Sequence, residues 1–492
     1  MELFFGTDGI REKYPFLNEL NSFLISYFFI NKIKKEDVTD IYIGYDTRFS
    51  SLSLALACAS SITSFFNKYN INKKVILSNS FTSTPLMAFI SNYKRSYSIQ
   101  ITASHNPFFY NGIKIFNKFG QKIDNQLEKL IESDLNKAIN SKFVEIYKSL
   151  QFDINNHRLI YSDNNLNKFE FKDFSKIYIN NLLRFFKKFF EKNKLKPLKN
   201  LENKKILIIL DLGNSAISTL APKVYSKFLN LINTQTKLQI YLKIINNSPN
   251  GYNINYNCGS VNYENLKDQI LKFSSDYDLV IGFTYDGDAD RTLAFVNLNF
   301  NKLLFLDGDL IILTLVYFLN SLKYNIKKVA LTHMSNLAIE EKFNEMGVEV
   351  IRVNVGDKYI TQAIEEGKAQ IGAENSGHVV IPLFLKTGDG LFTSLFLLSA
   401  LLINFEEIIN LIDSIKLYPQ KLINIKVSNK IEFMQKNKEL FEKIEKMIHK
   451  NGRVFIRPSG TEDLIRILIE TYNQNLINQI EEIINKEVVL NV

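Results

Sequence analysis

A chain of 492 residues with 46% hydrophobic content is long enough to bury several cores, and the usual 100 to 200 residues per domain points to three or four of them. The formal charge of +9 comes from lysines scattered along the whole length, so stretches such as Lys187 to Lys205 read as solvated helix faces and linker rather than a nucleic-acid groove. Cys58 and Cys258 form no disulfide or metal framework, which suits a reducing cytoplasm, and the start MELFFGTDGIREK lacks the basic and apolar regions of a secretory signal.

In chain order, FGTDGIR (Phe5 to Arg11) packs Gly, Thr, Asp and Gly into a turn ending in an arginine. A strand ending near Tyr45, an apolar helical stretch from Leu52 to Phe66, a strand at Val75 to Leu77 and a helix opening near Pro85 follow. Strands alternating with helices predict a mostly parallel α/β sheet. The β-prone run Ser96 to Ile101 then leads into ITASHNPFFYNGIK, Ile101 to Lys114. Pro107 disfavours helix there, so Ser104 is expected on a loop at a strand's carboxyl end, where such sheets bind ligands. His105 and Lys114 are of the right type to move protons to and from a sugar hydroxyl. Alone, TASHNP is equally a polar surface turn.

Residues 150 to 205 are rich in Asn, Lys and Phe and read as a boundary, a connecting helix and surface elaboration. A second unit opens with a strand at Ile206 to Leu210 and reaches another at Leu279 to Phe283, which runs into TYDGDADRTLAF. In an extended segment Asp286, Asp288 and Asp290 would point the same way, a cluster that needs a cation such as magnesium or calcium. An EF-hand is excluded, because its sixth and twelfth positions here are Arg291 and Asn297.

A third unit runs from about Lys302 to Leu417, and Glu374, Asn375, Ser376 and His378 lie between two of its strands, in a loop able to grip sugar hydroxyls or an amine. The nearly apolar run Leu391 to Phe405, interrupted by Thr393, Ser394, Ser399 and Asn404, is too short for a membrane span and predicts a buried helix. The last segment, from Tyr418, changes to strand, helix, strand, strand, helix. Within it Arg457, Ser459, Gly460 and Thr461, with Arg466 nearby, read as a phosphate cradle. Only ten arginines occur, and Arg11, Arg48, Arg291, Arg457 and Arg466 all fall in or beside these motifs, which hints at an anionic small molecule.

TASHNP, DGDADR, GAENSGH and RPSGTE, in this order, resemble the α-D-phosphohexomutase superfamily, and FGTDGIR, PNGYNINYNCGS, VGDKY and TGDG resemble its bacterial phosphoglucosamine mutase branch. The resemblance covers essentially the whole chain. It implies an α/β fold of three related mixed-sheet α/β domains plus a C-terminal α+β domain around a central cleft. The expected divisions are 1–155 with the phosphoserine loop, 156–300 with the magnesium loop, 301–417 with the sugar-binding loop and 418–492 with the phosphate-binding loop. It implies interconversion of glucosamine 6-phosphate and glucosamine 1-phosphate through phosphorylated Ser104 and a hexosamine 1,6-bisphosphate, serving UDP-N-acetylglucosamine synthesis in the cytoplasm.

One Mg2+ per chain would be held by Ser104, Asp286, Asp288 and Asp290. Arg11, Lys114 and Arg291, beside Ser104 and His105, match positions that handle protons or phosphoryl charge. Glu374 and Ser376 match sugar-loop positions, and Arg457, Ser459, Gly460, Thr461 and Arg466 match the phosphate loop. The expected partner is a small hexosamine phosphate, with no nucleic acid and no membrane, and with a homodimer as an assembly left open. Ala373 and Asp463 depart from the family's usual Gly and Pro, and Asp463 adds a negative charge near a phosphate site. Rival readings are a phosphomannomutase or phosphoglucomutase on the same scaffold, and a non-catalytic phosphosugar-binding regulator.

Overall fold

The computed structural model describes residues 3–34, 38–140, 152–153, 158–159, 169–195, 201, 203–233, 238–298, 302–448, 452–458 and 463–488. Three α/β units repeat one sheet arrangement. In the first, β3 (Ile41–Tyr45) lies between β4 (Val75–Ser78) and β5 (Tyr97–Ile101), parallel to both, and β6 (Tyr110–Phe116) returns antiparallel beside β5. In the second, β10 (Lys205–Asp211) lies between parallel β11 (Gln239–Ile245) and β12 (Leu279–Tyr285), and β13 (Thr292–Leu298) returns antiparallel. The third repeats this with β15 (Lys328–Thr332) between β16 (Glu349–Val353) and β17 (Ile371–Ala373), and β18 (Val379–Val380) returning.

The first sheet has additional strands on both sides. The hairpin β1 (Phe5–Gly6) and β2 (Gly9–Lys13) joins β6, and β9 (Glu170–Lys172) joins β4, so this sheet takes in a strand beyond residue 155. A short pair, β7 (Phe152–Asp153) and β8 (Arg158–Leu159), stands apart, and β14 (Lys302–Leu306) extends the second sheet beside β13. The parallel strands β3, β4, β5, β10 and β12 are buried along nearly their whole length, as sheets covered on both faces require, while the edge strands β11 and β16 are only partly buried.

The fourth unit is an antiparallel sheet in which β21 (Leu464–Thr471) lies between β19 (Gln420–Lys426) and β20 (Gly452–Pro458). Its own core joins Ile465, Ile467 and Ile469 to Phe441 and Ile444 of one helix and Ile477, Ile480 and Ile484 of another. The single helix expected between its first two strands is two, Lys430–Lys436 and Lys438–Ile448.

The segment read as a boundary, a connecting helix and surface elaboration contains the expected helix, and that helix is a structural keystone. Helix Ser175–Asn193 buries Tyr178, Ile179, Leu182, Phe186, Phe189 and Phe190, while Lys187 and Lys188 face solvent. Phe186 packs on Phe228 of the second unit and Phe392 of the third, and Tyr178 packs on Phe89 of the first. Each such ring contributes roughly 2–3 kcal/mol by burial, so this amphipathic helix joins three units into one core. The Lys- and Asn-rich composition hid a regular apolar stripe.

The apolar run expected to be a buried helix is one, Gly390–Ile403, with every residue from Gly390 to Leu402 buried. Among the described residues no single helix is long and apolar enough to cross a membrane.

Candidate active site

The repeat explains where the chemistry collects. In each unit the connection from the third strand to the returning fourth lies at the carboxyl end of the parallel strands. These connections carry Ser104 between β5 and β6, Asp286 to Arg291 between β12 and β13, and Glu374 to His378 between β17 and β18. The second and third meet directly, through the Thr292 N–H donating to the Gly377 carbonyl at 3.1 Å and a bridge between Arg291 and His378.

Ser104 is fully buried, with φ of 52°, and its Oγ donates to Asp286 Oδ2 at 2.7 Å. A left-handed serine is uncommon and needs a surround that fixes it. Arg48 Nη2 and Asn255 Nδ2 supply this, donating to the Ser104 carbonyl at 2.7 and 2.9 Å. Arg48 is itself held by Asp46 Oδ2 at 3.0 Å. Gly287 permits the close approach, since a Cβ there would lie 2.4 Å from the same carbonyl oxygen.

The aspartates converge as expected, with oxygens of all three within 4.8 Å of one another. Their route differs from the extended segment expected. After β12 the chain makes a tight turn with Ala289 at φ of 57°, and the turn brings Asp286, Asp288 and Asp290 together.

Burial, then the neighbouring Asp290 and Asp288, hold the Asp286 carboxyl well above its usual range, against Arg291 and the Ser104 hydroxyl. Burial would raise Asp290 as well, but Lys114, His378 and Arg291 outweigh it and hold that carboxyl well below its usual range. Asp288 Oδ1 and Asp290 Oδ1 are buried with no hydrogen-bond partner among the described residues. Unpartnered hard oxygens in a three-carboxylate group fit a divalent cation such as magnesium.

Cations surround this group. Lys114 Nζ lies 2.6 Å from Asp288 Oδ2, 3.3 Å from Asp290 Oδ2 and 2.9 Å from Asp8 Oδ2. Although burial opposes its charge, the three carboxylates raise Lys114 above the ordinary lysine value. Arg291 Nε is 3.8 Å from Asp290 and 4.0 Å from Asp286, and its Nη1 is 3.2 Å from His105 Nδ1. Burial, then Arg291 and Arg11, push His105 down to about 3, so the ring is neutral and its Nδ1 accepts from Arg291. Arg11 pairs with Asp8.

Within the third connection Glu374 is buried, and its Oε1 accepts from the Gly356 N–H at 3.0 Å. Asn375 and Ser376 are half-buried. His378 Nε2 accepts from the Gly388 N–H at 3.2 Å, which directs Nδ1 toward Asp290 Oδ2, 3.8 Å away. Ala373 is fully buried in β17, opposite Val379.

In the fourth unit Arg457 and Arg466 are directly opposed on β20 and β21, an unfavourable arrangement unless an anion is near. Burial, then Arg466, depress Arg457, while Glu374 of the third unit opposes them. Arg457 Nε is buried without a partner among the described residues. Ser459, Gly460 and Thr461 lie outside the described residues. Asp463 is 86% exposed and 3.8 Å from Lys430, so solvent and a lysine screen its charge.

Asp8, Asn255, Lys122, Asp357 and Thr84, whose N–H donates to the Asp288 carbonyl at 3.0 Å, were not singled out from sequence. FGTDGIR, PNGYNINYNCGS and VGDKY hold three of them, but nothing in the sequence indicates which partner each meets.

Family models described as phosphoglucomutase/phosphomannomutase alpha/beta/alpha domain I, alpha/beta/alpha domain III and C-terminal domain match residues 2–142, 307–418 and 422–487. The phosphoglucosamine mutase of Caldicellulosiruptor saccharolyticus is 33% identical over 95% of this chain and 94% of its own. That of Campylobacter concisus is 33% identical over 96% of each. Among solved structures, Aspergillus fumigatus N-acetylphosphoglucosamine mutase in complex with GlcNAc-6P and magnesium superposes with a TM-score of 0.66 at 17% identity, covering 99% and 95% of the two chains. A phosphoglucomutase/phosphomannomutase family protein of Burkholderia thailandensis gives 0.67 at 17% identity over 98% and 97%. The repeated sheet, the loops that meet in it and these matches agree: the chain belongs to the phosphoglucomutase/phosphomannomutase family of the α-D-phosphohexomutase superfamily.

Proposed function

We propose that this isomerase is a phosphoglucosamine mutase, converting glucosamine 6-phosphate to glucosamine 1-phosphate through phosphorylated Ser104 and a 1,6-bisphosphate, in the cytoplasm and toward UDP-N-acetylglucosamine. The observation that carries the reading is the buried Ser104 hydroxyl resting on Asp286, within a carboxylate group that has spare oxygens. The names of relatives 33% identical over nearly the whole chain support glucosamine as the sugar.

In this reading Asp286, Asp288 and Asp290 would hold one Mg2+ together with phosphorylated Ser104. The ion, when bound, neutralises charge on the group in transfer. Lys114 pairs with Asp8, Asp288 and Asp290 and compensates charge around Ser104; with Asp288 and Asp290 engaged by the metal, it would be the group to take the sugar hydroxyl proton. His105 is neutral with Nδ1 engaged by Arg291, so its Nε2–H is the donor it offers.

Glu374, Asn375, Ser376 and His378 contact the sugar, and Arg457 and Arg466, with Ser459, Gly460 and Thr461, take the phosphate not in transfer. Reversal of the bisphosphate requires a cradle that accepts either phosphate, and the opposed arginines suit it.

Turnover of glucosamine, glucose and mannose 6-phosphates compared side by side tests the sugar. A clear preference for glucosamine is expected, and preference for glucose or mannose would overturn that assignment.

A further inference from the structure

Lys114 and His378 touch the same oxygen of Asp290, at 3.3 and 3.8 Å. Each also faces a second carboxylate: Asp8 lies 2.9 Å from Lys114, and Asp357 lies 3.8 Å from His378. Between those two carboxylates stands Lys122. Its Nζ pairs with Asp8 Oδ1 and lies 2.5 Å from Asp357 Oδ2.

The contacts close a ring in which carboxylates alternate with basic groups: Asp290, His378, Asp357, Lys122, Asp8, Lys114 and back to Asp290. No side chain in it is more than 16% exposed. Asp8, Lys114 and Lys122 come from the first unit, Asp290 from the second, and Asp357 and His378 from the third. Two further ties between the first and third units, Gln121 to Glu365 and Lys358 to Asn125, are exposed and correspondingly weak.

We propose that Lys122 is a positioning residue for phosphoryl transfer, holding Asp8 and Asp357 so that Lys114 and His378 both stay on Asp290. The inference rests on the phosphohexomutase reading above. Without the Lys122 charge, Asp8 and Asp357 lose the cation between them. Lys114 is then drawn toward Asp8, the uncompensated Asp357 carboxylate bears on the His378 ring, whose Nε2 accepts from the Gly388 N–H, and Asp290 is left with a weakened hold from both and its 3.8 Å contact to Arg291. Lys122 touches neither Ser104 nor the sugar loop's Glu374; its route through Asp8 and Lys114 to Asp290 bears on the rate of transfer, while its longer route through Asp357 to His378, a sugar contact in the reading above, adds at most a small rise in KM.

The test compares wild type, Lys122→Met, Lys122→Arg and Asp357→Asn at a temperature well below every unfolding midpoint, with glucosamine 6-phosphate and saturating Mg2+. Lys122→Met is expected to lower kcat about 10- to 100-fold, as loss of an outer positioning contact typically does, with KM within about 3-fold of wild type. Lys122→Arg should recover most of that loss. Asp357→Asn should reproduce the loss of kcat, and it decides the matter if the Met variant does not fold.

Wild-type kcat in a folded Lys122→Met or Asp357→Asn protein would overturn the proposal. So would an effect mainly on KM, or a loss that Arg does not rescue. An inactive wild type would instead indict the functional reading, and the inference would fall with it.

Discussion

Ser104 Oγ and Asp286 Oδ2 lie 2.7 Å apart although 182 residues separate them, and this contact joins the first unit to the second at the point of chemistry. The next two acidic residues, Asp288 and Asp290, each keep beside it a buried oxygen with no hydrogen-bond partner among the described residues. Magnesium is therefore expected to raise the thermal unfolding midpoint, with about 2.7 kcal/mol of stabilisation at a hundred times its dissociation constant. Chelator should abolish turnover and magnesium restore it. Asp290→Asn should reduce both the shift and the turnover, and an undiminished shift in a variant with all three aspartates changed to Asn would contradict the site.

Gly287 stands where a side chain would strike the carbonyl that fixes Ser104. Gly287→Ala is expected to cost about 1–3 kcal/mol, as overpacking of a tight site does, and to lower kcat by displacing the Ser104 loop. Denaturant unfolding and steady-state kinetics measure the two effects. A fully active, fully stable alanine variant would show that the loop has room to spare.

Glu470 is completely buried at the junction of the third and fourth units. It accepts from the Leu337 N–H at 2.6 Å and from Gln420 Nε2 at 3.0 Å, and it pairs with Arg453. Removing one partner of a buried charged pair costs about 3–5 kcal/mol. Glu470→Ala should destabilise the protein by that order and raise KM, because Arg457 and Arg466 lie in the same sheet and the sheet's seat on the third unit is loosened. Unchanged KM in a folded variant would show that the junction does not set the cradle's position.

Glu128 gives a pH signature remote from the aspartates. Burial, helped by Glu132 and Asp124 and opposed by Lys358 and Lys122, pushes its carboxyl up to about 7. A raised acid stabilises the fold fully below its unfolded value near 4.5, and that contribution is lost as pH rises through about 7. Glu128→Gln should thus be more stable than wild type above pH 7 and not at pH 4. Discounted for partial exposure, the difference is on the order of 1 kcal/mol. An equal difference at both values would contradict the assignment.

Much of the site was legible because its parts are short, polar and punctuated by glycine between apolar strands. Ser104, the three aspartates and the Glu374 to His378 connection stand out against such a background, and all are brought together. The sequence does not display why they converge. That depends on a hairpin connection repeated in three units whose residues share no motif, and on the left-handed turns at Ser104 and Ala289. Proton-moving types were evident in His105 and Lys114, but Asp8, Asp288 and Asp290 around the lysine, and Arg291 on the histidine, set their charge states from distant chain positions. The connecting helix expected between residues 150 and 205 is present as Ser175–Asn193, but its buried aromatic face was obscured by a lysine-rich composition that reads as surface.

The most direct measurement is formation of glucosamine 1-phosphate from glucosamine 6-phosphate by the purified protein with Mg2+ and a hexose 1,6-bisphosphate, wild type beside Ser104→Ala. The account predicts turnover by a wild type carrying one phosphoryl group on Ser104, and none by a folded Ser104→Ala protein. Turnover by the alanine variant at the wild-type rate would contradict it.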